Sequence, residues 1–298
     1  MIKSSIPAFV ILLLLSAAGC ELYPQDEFEE DYVVESYLVA NRPLPQIRIS
    51  KTTPIDSMYD FTDAAVTSAE VEVRLLDENG NADETFEYGI QSTGVYVTGS
   101  SHRVLPRRRY ELYVTFRDAP DEIRAQTFVP GQFGSVGNTV DSIAYQDPAQ
   151  IVINTSRSYY PNRQSFFIFS VVALQPEPGT LTPFYADQLN NEDTELSNFY
   201  TNSSGIINEQ NYEENENNTL TLRVPWLAVA FYGDTYIIAN AIDDNMYDFY
   251  RTQDVQGGGS TLPPGEFQNV IYNVEGGIGV FGSMASDTVR VYIRRNEN

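Results

Sequence analysis

The two residue types best suited to nucleophilic or metal chemistry occur once each in this 298-residue chain, as Cys20 and His102. A lone thiol can form neither an internal disulfide nor a zinc–thiolate cluster, and any Ser-His-Asp triad would have to use His102. His102 lies in "GSSHRVLPRRRY", which reads as an exposed loop before a strand, so no catalytic role is expected of it. The chain has 41 Asp and Glu residues, so close carboxylate pairs arise by chance. A glycosidase needs two of them at a fixed separation across a cleft, which spacing alone does not show. Asp77, Asn79, Asn81 and Asp83 alternate as in a calcium loop, but Ala82 stands where glycine is required and Tyr88 where glutamate is required. A polar hairpin turn accounts for the same residues. In "VEGGIGVFG" (274–282) no lysine is present and a strand follows. That argues for crowded sheet backbone rather than a phosphate loop, with a partner-contacting rim loop as the alternative. No metal or cofactor is expected.

The remaining chemistry is aromatic. Tyr159-Tyr160, Phe184-Tyr185, Phe199-Tyr200, Phe231-Tyr232 and Phe249-Tyr250 recur through the second half, and Trp226 is the single tryptophan. Neighbours in a strand point to opposite faces, so one ring of each pair packs inward and the other is free for a sugar ring or a protein surface. Core and sheet packing is the favoured reading of these rings, and ligand or partner contact the alternative. Tyr159, Tyr160, Tyr185, Tyr200, Trp226, Tyr232 and Tyr250 are the candidate ligand or partner contacts.

The N-terminus gives Cys20 its context. In "MIKSSIPAFVILLLLSAAGC", Lys3 precedes an apolar stretch, Ile6 to Leu15, and a small-residue run ends on the cysteine. This is a secretion signal, too short for a spanning helix. It resembles a bacterial lipobox, with Ala17 where leucine is commonest. The resemblance implies diacylglycerol on the Cys20 sulfur, cleavage before it, and acylation, commonly by palmitate, of the new amino group. Acyl chains add about 0.8 kcal/mol of anchoring per buried methylene. A membrane-anchored protein with an acidic tether over 20–31 is expected. The run "DEFEED" within it resembles the surface-export signal of lipoproteins in a bacterial phylum with outer-membrane glycan uptake. The expected location is therefore the outer membrane, facing outward, with the periplasmic face as the alternative.

Formal net charge is −23. That disfavours nucleic acid, which selects clustered cations, and adhesion to anionic headgroups. From residue 32 the apolar period becomes two. "YVVESYLVA", "PQIRIS", "AEVEVRLLDENGNADETFEY", "TGVYVTG", "RRYELYVTF" and "EIRAQTFVP" read as short strands, the third as a hairpin turning at Asn79-Gly80. Gly and Pro in 130–138 mark a boundary. More strands follow, broken by a polar stretch over 176–218 that is too long for an ordinary loop. Asp243 or Asp244 caps a helix expected at 243–253, with Met246, Phe249 and Tyr250 on one face. The expected fold is mainly β: two immunoglobulin-like or transthyretin-like sandwiches, 32–130 and 131–298, the second carrying the 176–218 insertion and one short helix.

The order of these blocks resembles domain-of-unknown-function family 4249. The points of likeness are the cysteine followed by "VVESYL", the "AEVEVRLLDENG" and "GVYV" block, the "YDFYRTQ" helix, and "NVEGGIGVFGSMASDTV" with Asn273, Gly276, Gly277, Gly279, Phe281 and Gly282. The resemblance implies a β-rich lipoprotein encoded beside TonB-dependent outer-membrane transporters, with no established activity. The resulting expectation is a non-catalytic accessory to such a transporter in nutrient capture or gating, contacting partners through loops 176–218 and 254–265. A stand-alone adhesin or glycan-binding module, taking a glycan or peptide ligand, is the alternative. A carboxylate-based hydrolase is a third reading. Asp-Ser/Thr-apolar triplets at 56–58, 141–143 and 287–289 fit a loose O-glycosylation pattern or chance.

Overall fold

The computed structural model describes residues 28–54, 56–137, 140–190, 194–214, 218–254 and 269–296. Cys20, the signal segment 1–19, most of the acidic tether and most of the 254–265 loop lie outside the described residues.

The described chain is mainly β, with a large sheet and few helices. The first half supplies β1 (Tyr32–Val39), β2 (Ile47–Lys51), β3 (Ala69–Leu76), β4 (Ala82–Ser92), β5 (Val95–Val97), β6 (Arg109–Phe116) and β7 (Glu122–Phe128). A one-turn helix, α1 (Phe61–Ala64), lies between β2 and β3. The second half supplies β8 (Ser142–Ala144), β9 (Ile151–Thr155), β10 (Phe166–Ala173), β11 (Thr201–Ser203), β12 (Ile207–Asn208), β13 (Glu213–Glu214), β14 (Leu220–Val224), β15 (Gly233–Ile242) and β16 (Ile278–Arg294). Its helices are α2 (Pro183–Leu189) and α3 (Asp244–Asp254).

Alternation builds the first half as the sequence foretells. In β3, Val71, Val73 and Leu75 are buried, while Glu70 is exposed and Glu72 and Arg74 lie half-buried. Asp77 closes the following turn by accepting from the backbone N–H of Asn79 (2.9 Å) and Asn81 (2.8 Å). Its oxygens are thereby committed to the turn, as the hairpin reading expects.

The sheet order is β11-β10-β15-β16-β1-β2-β5-β4-β3-β6-β7. A separate three-stranded sheet runs β13-β14-β9. The pairing of β1 with β16 is parallel, from Val33 opposite Ile278 to Val39 opposite Met284. Strands from both halves therefore share one sheet. Beyond β1 the run of strands curls back until β7 meets β16. Arg124 and Glu275 exchange backbone hydrogen bonds there, at 3.0 and 2.8 Å. A continuous core follows, joining Val34, Tyr110 and Ile123 to Phe167, Phe281 and Val291.

The glycine stretch leads into crowded sheet backbone, as its sequence argues: β16 begins at Ile278 and contains Gly279 and Gly282. The reason is close backbone approach. A Cβ on Gly276 would lie 2.1 Å from Glu122 O, and one on Gly279 2.1 Å from Val34 O; φ is +81° and +116°. L side chains rarely adopt such conformations.

The polar insertion is not a plain loop. It forms α2, β11, β12, β13 and 3₁₀ turns at Pro178–Thr180, Leu196–Phe199 and Glu209–Asn211. Leu181, Tyr185, Ala230 and Phe231 give it a small core of its own. Among the described residues no helix is long and apolar enough to cross a membrane.

His102 is not an exposed loop residue. Its side chain is 12% exposed, packs at a tilt against Phe86 with ring centroids 4.4 Å apart, and its Nε2 lies 2.9 Å from Tyr110 Oη. Burial lowers its pKa, against a smaller opposing effect of Glu84. The Tyr110 ring inside β6 draws the imidazole down onto the sheet.

Gly279→Ala is expected to destabilise the fold by about 2 kcal/mol or more, since the strand cannot retreat without breaking the β1 pairing. Gly89→Ala, where an added Cβ meets nothing within 4 Å, should change stability little. Denaturant unfolding of both variants checks the contrast.

Candidate functional site

The seven candidate aromatic residues do not form one platform. None of the five pairs lies inside a named strand, so alternation does not order them. Trp226 and Tyr232 both pack edge-on against Tyr145, at 5.4 and 5.6 Å, and Trp226 Nε1–H donates to Asp147 O. Tyr200 is half-exposed beside Phe231. Tyr185 is buried in the insertion and donates to Leu227 O at 2.7 Å. Tyr250 sits half-buried on α3. Tyr159 lines one open concavity, and Tyr160 lines the recess beside it.

That concavity is an open cleft of about 820 Å³ between the β3–β4 turn and the start of β6. It continues into a recess of about 360 Å³ that shares Arg109, Gln126 and Phe128 with it. Three consecutive arginines line the cleft, although the chain as a whole is strongly acidic. Arg107 is held by a turn in which its N–H donates to Val129 O at 2.8 Å. Its φ is +63°, a left-handed conformation that costs a non-glycine residue about 1–2 kcal/mol. Its guanidinium lies 4.8 Å from the Tyr159 ring centroid. Arg109 pairs in register with Phe128, which puts its guanidinium 5.7 Å from that ring. Arg108 is committed to Asp83 (2.9 Å) and Leu76 O (3.0 Å). In the recess, Arg163 lies 3.7 Å from the Tyr160 centroid and 4.7 Å from that of Phe166. It is fixed by Asp244 and by Ile242 O. Sequence reading missed these arginines; "PRRRY" in so acidic a chain was the available signal.

A buried polar chain holds the floor of the recess to the rest of the sheet. Asp243 is fully buried and caps α3: its Oδ1 accepts from Met246 N–H at 2.9 Å. Its Oδ2 lies 2.6 Å from Thr127 Oγ1. Thr127 Oγ1 lies 2.6 Å from Ser283 Oγ, and Ser283 donates to Phe128 O at 3.0 Å. The Thr127 hydroxyl is directed at both Asp243 Oδ2 and Ser283 Oγ, and burial favours the protonated form of the Asp243 carboxyl. Its pKa is pushed up to about 7, chiefly by burial and further by the charge of Asp244. Asn245 and Asn273 complete the join, both donating to Gln126 O and Phe281 O. The Tyr160 hydroxyl accepts from Asp244 N–H at 3.2 Å, and burial raises its pKa.

A second concavity, about 570 Å³ and mostly apolar, lies under the insertion and is lined by Tyr185, Phe169, Ile207, Tyr212, Val224 and Leu227 among others. Asn202 Nδ2 serves Tyr185 Oη and Ala228 O, whereas the buried Tyr212 Oη has no hydrogen-bond partner among the described residues. Among the described residues no group of three or more His, Cys, Asp or Glu could hold a metal ion.

Asp243 sets a pH dependence of stability. An acid whose folded pKa is raised contributes fully below its unfolded value, near 3.8, and loses that contribution as pH rises through about 7. Stability should fall between pH 4 and 7 by this route. Asp243→Asn, which keeps a donor toward Thr127, should flatten that slope in pH-dependent chemical denaturation.

The family described as "Domain of unknown function (DUF4249)" matches residues 21–290, and the chain belongs to that family. No curated protein matches it. Among solved structures it is similar to a tetra-tandem repeat from the extending region of a large adhesion protein, at 12% identity over 90% of this chain and 50% of that one, TM-score 0.24. Trypsin-activated alpha-2-macroglobulin from Escherichia coli gives 7% identity over 72% and 14%, TM-score 0.22. Three N-terminal domains of the bacteriophage RB49 outer capsid protein Hoc give 9% over 90% and 71%, TM-score 0.25. The chain thus spans half or less of the first two.

Proposed function

We propose that this member of the DUF4249 family is a non-catalytic lipoprotein, anchored in the outer membrane through Cys20, that serves a TonB-dependent transporter in nutrient capture or gating. The observation that carries the reading is the open cleft. Its walls are rigid strand ends and a clamped turn, and its side chains are guanidinium groups and rings suited to holding a ligand. The lipobox-like "SAAGC" supplies the anchor, and the acidic stretch after it spaces the sheet from the bilayer. A ligand held at the cleft is handed on at the membrane surface, where the transporter opens.

The same cleft favours one second reading, a glycan-binding module that works alone, because half-exposed Tyr159 is the ring type that stacks on sugars.

Pull-down of the lipidated protein from its native outer membrane in mild detergent separates the two. A stoichiometric transporter in the eluate is the expected result; elution without one sinks the accessory reading. Cys20→Ala is expected to abolish labelled-palmitate incorporation and to move the protein out of the membrane fraction.

A further inference from the structure

We infer that the cleft between Arg107, Arg109 and the β3–β4 turn is a binding site for a carboxylate-bearing saccharide, a uronate-type chain. This rests on the reading of the cleft as a capture site and names its ligand class.

The argument turns on which charges at the cleft are already spent. Arg108 is paired with Asp83, and Arg163 with Asp244. Asp77 is consumed by its own turn. Arg107 and Arg109 are exposed, and among the described residues neither has a carboxylate partner. Each guanidinium instead lies near an aromatic ring, Tyr159 or Phe128. Stacked on a ring, a guanidinium keeps its edge N–H groups free, and that edge matches a carboxylate in bidentate fashion. Two such edges, anchored on either side of Arg108, suit carboxylates spaced along a chain.

The turn contributes the opposite preference. Glu78 lines the cleft, is exposed, and has no cation partner among the described residues. A free carboxylate is an acceptor only. It would repel a purely anionic ligand such as polyphosphate, but it binds hydroxyl donors. A ligand that satisfies both walls has carboxylates for the arginines and hydroxyls for Glu78. Half-exposed Tyr159 adds a ring face of the size of a pyranose. An acidic saccharide has all three features.

Arg107 itself is informative. Its left-handed turn position is one that glycine would fill without strain. The turn carries a long cation at a conformational cost, which fits a role for its side chain.

The test is titration calorimetry on the lipidated protein in detergent with tri-galacturonic acid. Its methyl ester, a neutral trisaccharide, an acidic peptide and inorganic polyphosphate are the comparison probes. Saturable binding of the trigalacturonate is expected, weakened at least about tenfold by esterification and by raised salt. Arg107→Gly relieves the turn, so the variant should remain folded while losing about tenfold in affinity; Arg109→Gln should do the same. Glu78→Gln should weaken the saccharide but strengthen polyphosphate. Equal binding of the ester or neutral sugar overturns the inference. So does undiminished binding by the Arg107→Gly/Arg109→Gln double variant, preference for the peptide or polyphosphate, or no binding at all. Transporter co-purification is read separately. If the saccharide fails while the transporter still co-purifies, only the ligand class is lost; if it binds and no transporter appears, only the accessory role is.

Discussion

The contact on which the rest depends is the approach of β16 to its neighbours. Gly276, just before it, lets the backbone lie against β7, Gly279 within it lets the strand lie against β1, and Gly282 leaves room for Met246 of α3. Each contact is closer than a side chain permits. Remove the approach and the first-half strands lose their partner in the sheet, α3 loses its seat, and the recess loses its floor. Hydrophobic burial supplies most of the driving force, through a core shared by both halves. The glycine contacts decide which strands that burial brings together.

Against that backbone the buried chain from Asp243 through Thr127 and Ser283 works as a register pin. A neutral acid costs far less to bury than a carboxylate. Each side chain in it has a polar partner within hydrogen-bond distance, so none is stranded. Its three members come from α3, β7 and β16, and they can meet only when the strand run has curled fully round. Arg163, Tyr160 and Phe128 take their places next to it, which is how a fold-level contact sets cleft geometry.

Sequence made the local features legible. The period-two runs gave β1, β3, β6 and β7, and a cap at Asp243 or Asp244 gave α3 nearly to the residue. The 176–218 stretch was visible as an excursion, but not its helix or its small core, since the Leu181, Tyr185 and Phe231 contacts are long-range. The aromatic pairs misled because neighbour alternation is a strand property, and these pairs sit on helices, turns and an isolated bridge. His102 was hidden for a similar reason: its partner Tyr110 lies eight residues on, in a different element. Thr127 and Ser283 are 156 residues apart, and nothing in either neighbourhood announces the other. The cleft arginines were plain in the sequence, but only the register of β6 on β7 shows which rings they meet.

The parallel pairing of β1 with β16 also fixes an order of assembly. On the edge away from β2, Val33 finds its partner only at Ile278. While the chain is being made, β1 therefore presents an open edge on the side that β16 will cover. Contacts of such sequence separation form slowly, and an unpaired edge invites association with other chains. The molecule is built to be completed late, as one piece, with its first strand closed by its last.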